Sequence, residues 1–168
     1  ARALVVHAGW ADEEGLTVAA VQHDFAVAVV GPGGKTGTQL DALGAYPVRI
    51  GGVATGDRLH AFGYPAAPPY DGDQLVYCLG SVGVEVVAST WGITCDMTGG
   101  ASGGPWLHGS SDPAAGSGEI ASVTSYRILN DPGLYGPRFG SAAATVVSRA
   151  RLATPDAVGI DGLIVSGP

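Results

Sequence analysis

The chain has little charge, little sulfur and few aromatic rings. Lys and Arg total 8 against 15 Asp and Glu, a net charge of −7. That balance provides no basic face for nucleic acid or for an anionic membrane surface, so neither partner is expected. No uninterrupted apolar stretch reaches the ~20 residues of a membrane-crossing helix. The 4 histidines are scattered, without a zinc spacing such as His-Glu-x-x-His, so no metal and no cofactor is expected. The opening Ala1-Arg2-Ala3-Leu4-Val5-Val6 has neither an initiator Met nor signal-peptide anatomy. It predicts a chain that begins inside something longer, or after processing.

Cysteine occurs only at Cys78 and Cys95. Two buried free thiols are one reading. Each cysteine, however, closes a strand-like run (Gln74–Cys78 and Thr90–Cys95), as a hairpin-like pair would need. A disulfide between them is the preferred reading, and it implies an oxidising, extracellular compartment. A phosphate-binding loop at Gly31-Pro32-Gly33-Gly34-Lys35-Thr36 is excluded. Val29 stands where that motif needs glycine, and Pro32 lacks a needed N–H.

Glycine (28) and proline (11) are plentiful, and 46% of residues are apolar. Val-rich runs between such turns predict many short strands, hence an all-β fold. Strands are expected at residues 2–7, Gln22–Val30, Val48–Ile50, Asp57–Pro65 and Ile120–Tyr126, with a polar turn at 9–15 and a loop over Asn130–Gly140. Ser141 is expected to cap a helix over Ala142–Leu152, with Arg149 and Arg151 at its negative end. A boundary is placed at 44–56, dividing residues 1–55 from 56–152, and residues 153–168 form a tail.

One stretch stands apart: Cys95-Asp96-Met97-Thr98-Gly99-Gly100-Ala101-Ser102-Gly103-Gly104-Pro105-Trp106. Glycines around one serine let several N–H groups converge on one point, which a serine nucleophile needs for its developing oxyanion. A glycine-rich turn with an incidental serine is the other reading of those residues. Asp24, at the head of the apolar run Phe25–Val30, needs a partner if buried. It is either a local cap or a carboxylate with a chemical role.

The Cys95–Trp106 string resembles the active-serine segment of trypsin/chymotrypsin-like serine peptidases, in particular the secreted glutamyl endopeptidase-like branch. Val5-Val6-His7-Ala8-Gly9-Trp10 and the Asp24-Phe25-Ala26 start of the next run resemble segments of the same family, as does Gly63-Tyr64-Pro65. The likeness covers residues 5 to 152, aligned to the last two-thirds of a two-barrel peptidase. It implies a chymotrypsin-like double β-barrel, the N-terminal barrel incomplete, with a C-terminal helix. It implies a serine endopeptidase acting on polypeptide, with Ser102 as nucleophile and Asp24 orienting a histidine. The Gly100 and Ser102 amides would form the oxyanion hole. Asp96 would lie at the base of the specificity pocket, though a cap on the turn after Cys95 is an equal reading. Ser122, Val123 and Thr124 would pair with substrate backbone. Ala101 replaces the aspartate that, in trypsin, receives a freed N-terminus on activation.

The family's base precedes its aspartate. His7 is too close in sequence to Asp24. His23, adjacent to Asp24 on the expected strand, points to the opposite face and towards solvent. His60 and His108 follow Asp24. The expectation is a base supplied by a missing N-terminal segment or a complementary chain, leaving these residues nearly inactive alone. A non-catalytic homologue acting as a binding module is the alternative. An esterase elbow is disfavoured because Gly103-Gly104-Pro105, not a helix, follows Ser102.

Overall fold

Short β-rich runs between turns give, in chain order, β1 (Ala3–His7), α1 (Ala8–Ala11), a 3-10 turn (Ala20–His23), β2 (Ala26–Val29), β3 (Arg58–Gly63), β4 (Val76–Ser81) and β5 (Gly83–Glu85). There follow β6 (Thr90–Thr94), β7 (Pro105–His108), β8 (Glu119–Val123), β9 (Gly133–Gly136), α2 (Ser141–Leu152) and β10 (Asp161–Val165). The computed structural model describes residues 1, 3–31, 33, 37, 44–111 and 117–153, and the backbone alone of 161–165. Most of 34–43, part of the 108–118 loop and most of the 153–168 tail lie outside the described residues. Within that tail, β10 pairs parallel with β1.

The strands form three sheets, ordered β10-β1-β2, β4-β3-β7-β8 and β5-β6-β9. None closes into a barrel among the described residues. Apolar burial divides likewise. Leu59, Ala61, Trp91, Ile93, Met97 and Trp106 belong to one buried cluster between the second and third sheets. Val5, Val146 and Ala150 form another, with Phe25, Val27 and Val29 against it. Helix α2 therefore closes over β1 and β2, 110 or more residues upstream in sequence.

Several sequence expectations need correction. Gln22–Val30 is not one buried strand: its first residues form the 3-10 turn, and β2 alternates half-buried and exposed positions. As an edge strand, β2 packs only one face, on the α2 side. His23 is consequently off the strand; its half-buried ring stacks on His7, with centroids 4.5 Å apart. Gly9 makes this possible, because a Cβ there would lie 2.7 Å from the His23 ring. The turn at 9–15 begins with α1, which His7 caps by accepting from the Gly9 amide at 3.0 Å. Val48–Ile50 makes only a parallel bridge from Val48 to Ile120. The Asn130–Gly140 loop contains β9, whose partner β6 lies far upstream, Thr94 pairing with Gly133, and is invisible to local pattern. Helix α2 begins as expected, but Gly140 is its cap position, and no side chain caps it.

Cys78 and Cys95 are disulfide-bonded, with Cα atoms 5.6 Å apart. The two strands are not a hairpin: β4 and the end of β6 belong to different sheets, and the bond crosses between them. It closes a loop with a sequence separation of 17. Cross-linking a loop of that size restricts the unfolded chain by about 3 kcal/mol. Cys78→Ala/Cys95→Ala should therefore lower the unfolding free energy by about that amount in a urea titration, with the native circular dichroism spectrum retained.

Candidate active site

Ser102 sits at the turn that leads into β7, between Ala101, which is buried in the core, and Gly103. The turn is held from both sides. The Gly103 amide donates to Thr124 O at 2.8 Å, and Thr124 N donates to Gly104 O at 2.9 Å. Behind it, the Trp106 indole N–H donates to Thr124 Oγ1 at 3.0 Å. A rigid backbone thus carries an exposed serine side chain.

Gly100 has φ +104°, and a Cβ there would meet Ala66 N at 2.7 Å and Tyr64 O at 2.8 Å. Only glycine fits both the conformation and the space. The Ala101 and Gly104 amides donate to Thr98 O and Ala101 O. The Gly100 and Ser102 amides make no main-chain hydrogen bond among the described residues. Two N–H groups flanking an exposed hydroxyl can receive negative charge on an adjacent oxygen.

Asp24 follows the 3-10 turn and precedes β2. Its Oδ2 accepts from Ser125 Oγ at 2.6 Å, a bond between residues 101 apart in sequence. Asp24 and Ser102 line the same cavity of about 400 Å³, together with Trp10, Val48, Gly103 and Thr124. Ser125 was not among the sequence candidates. Its only local signal is a hydroxyl where the apolar 120–126 run ends, and nothing in that run identifies Asp24 as its partner.

Asp96 is exposed and turned toward β4: its Oδ1 lies 3.9 Å from Cys78 Sγ. Hydrogen bonding to Asp96 raises the Tyr70 pKa, with burial and the Asp96 charge acting in the same direction. Ser122 is fully buried, and its hydroxyl donates to Pro137 O at 2.7 Å. Val123 and Ser122 are paired with Pro105 and Trp106 in β7, and Thr124 is bonded to the Ser102 turn. The segment after Thr124 leaves that pairing and turns across the nucleophile's own loop. There the Arg127 guanidinium donates to Met97 O at 2.8 Å and to Asp96 O and Asp131 O at 3.4 Å.

None of the four histidines is among the residues that line this cavity. His7 and His23 stack on each other, His60 lies among Phe62 and Tyr77, and His108 Nε2 is 3.4 Å from Asp57 Oδ2.

Below Arg127, Asp131 accepts from the Tyr135 hydroxyl at 2.7 Å and from the Gly133 amide. Those bonds hold the Asp131 pKa below its ordinary 3.8. Burial, then the Asp131 hydrogen bond, pushes the Tyr135 pKa up to about 12. A depressed carboxylate pKa stabilises the fold above the unfolded value and loses that contribution as pH falls through the folded one. Asp131→Asn should therefore flatten the loss of stability below pH 3.8, read as melting temperature against pH, while leaving the slope around neutrality little changed.

No family model matches the chain, and no curated protein matches it. Solved structures do. The chain superposes on the thermostable serine protease AL20 from an extremophilic microorganism with a TM-score of 0.72 and 34% identity, over 90% of this chain and 66% of that one. Protease Anisep from Arthrobacter nicotinovorans gives 0.73 and 34%, over 91% and 67%. A Glu endopeptidase in complex with MPD shares the fold at 0.66 and 21%, over 89% and 62%. The chain thus spans about two thirds of the length of these proteins. With a third of its sequence shared across nine-tenths of its residues, the chain belongs to the chymotrypsin-like serine proteases.

Proposed function

We propose that residues 1–168 are the nucleophile-bearing part of a serine endopeptidase that cleaves polypeptides through an acyl-enzyme on Ser102. The observation that carries this reading is the cavity of about 400 Å³ lined by both Asp24 and Ser102. An imidazole there bridges the carboxylate to the hydroxyl, taking the Ser102 proton as Oγ attacks the scissile carbonyl and returning it to the leaving amine. Asp24, fixed by Ser125, holds the ring in the tautomer that accepts at its far nitrogen. The Gly100 and Ser102 amides receive the oxyanion.

The imidazole comes from polypeptide outside residues 1–168, either an N-terminal segment or a complementary chain. The edge of β2 that is unpaired among the described residues, in a strand that starts two residues after Asp24, suits delivery of such a group by an added strand. Residues 1–55 and 56–152 then correspond to the remainder of the first barrel and to the second. Asp96 is the reading's candidate for selecting a basic side chain before the scissile bond. The disulfide fits a secreted protein.

An organophosphonate serine probe, applied to the full-length folded protein and mapped by mass spectrometry, tests the reading. An adduct on Ser102 supports it. No adduct, or one elsewhere, favours the non-catalytic homologue.

A further inference from the structure

Arg127 lies two residues beyond Ser125, whose hydroxyl fixes Asp24, and its side chain reaches back to the segment that leads into Ser102. Its guanidinium donates to Met97 O at 2.8 Å, and to Asp96 O and Asp131 O at 3.4 Å. None of these three oxygens accepts a main-chain hydrogen bond among the described residues. None of the ion pairs among those residues includes Arg127, so carbonyls rather than a carboxylate hold its charge. Main-chain oxygens that converge from two segments on one guanidinium make a cation site, and here the chain fills it with a residue of its own. The clasp is light. Arg127 is exposed, as are the residues at 128–130, and two of its three bonds are long.

Under the endopeptidase reading, a substrate whose scissile carbonyl rests on the Gly100 and Ser102 amides sends the side chain before that bond toward Asp96. A Lys or Arg side chain reaching that depth meets the oxygens that Arg127 already holds. We propose that Arg127 is an internal stand-in for the substrate's basic side chain and has to swing out before that side chain binds. The planar fork that fits Arg127 onto these carbonyls fits a substrate guanidinium equally well. Release costs little, because an exposed donor that leaves a carbonyl regains a hydrogen bond from water. Arg127 is then a specificity-determining residue: it opposes long cationic side chains, and not short apolar ones that stop above the clasp. A site open only about a tenth of the time lowers the apparent affinity of its guest about 10-fold. The identity of the guest rests on the endopeptidase reading; the clasp itself does not.

The test uses the full-length protein and its Arg127→Ala variant, with Arg127→Gln as the second variant should the first not fold. The probe is benzamidinium, a planar cation with the same fork of N–H donors, titrated by calorimetry. Removing the stand-in should tighten benzamidinium about 10-fold. It should also raise the ratio of kcat/KM for Arg over Leu before the scissile bond by about the same factor, chiefly through KM. Arg127→Lys, which keeps the charge but not the fork, should fall between. A merely structural clasp gives the opposite result: kcat/KM falls alike for both peptides and benzamidinium binds no better, which overturns the proposal. Phosphonate labelling of Ser102 on the same samples separates the two ideas. Tighter benzamidinium with an unlabelled Ser102 keeps the self-filled cation site and removes the protease reading. A labelled Ser102 with unchanged benzamidinium affinity does the reverse.

Discussion

Alanine at position 102 should lower kcat of the full-length protein on a peptide substrate by on the order of 10⁶, and should abolish phosphonate labelling. The size of the effect follows from the division of labour around the turn. In the proposed mechanism the Gly100 and Ser102 amides would act on a charge that exists only once Oγ has attacked, so without the hydroxyl they would have little to stabilise. Ser102 is exposed and makes no contact on which the core depends; the turn is held by Gly103, Gly104 and Thr124 backbone groups. Ser102→Ala should therefore retain its melting temperature within about 2 °C, as expected of a surface substitution worth under ~0.5 kcal/mol. A large fall in stability accompanying the lost activity would assign Ser102 to the scaffold.

The second large effect is at Asp24. Asp24→Asn should reduce kcat by about 10⁴, because the amide favours the wrong imidazole tautomer and gives no charge to an imidazolium. Ser125→Ala removes one hydrogen bond to the carboxylate and leaves the charge, so about a 10-fold loss is expected, equivalent to ~1.4 kcal/mol. Ser125 positions Asp24 and does not itself meet substrate in this account. The diagnostic is the pH–rate profile. Its acid limb, set by the imidazole, should shift in Asp24→Asn and move much less in Ser125→Ala. Equal losses in the two variants would mean that Asp24 acts only through its bond to Ser125.

How much of this could be read from the chain depended on how local each feature is. The α2 helix and the strands β1, β3 and β8 are written in contiguous residues, and they fold where the pattern placed them, whereas Gln22–Val30 is only partly a strand and Val48–Ile50 makes no more than a bridge. The disulfide was legible too, but not its setting: strand-like runs show that two cysteines end strands, not that the strands belong to different sheets. Asp24 stood out as a carboxylate at the head of an apolar run, whereas its partner Ser125 is 101 residues away. β9 went unread because its glycines and prolines signal a loop, and it becomes a strand only through β6. His23 was misplaced because the 3-10 turn that carries it lies in an apolar run with no helical period.

The central claim is that a histidine from beyond these residues occupies the cavity between Asp24 and Ser102. The most direct measurement is a crystal structure of the full-length protein with a phosphonate on Ser102. The account predicts one imidazole in that cavity, with one nitrogen about 2.6–3.2 Å from an Asp24 oxygen and the other facing Ser102 Oγ. A cavity filled by a different side chain, with Asp24 bonded to Ser125 alone, would contradict it.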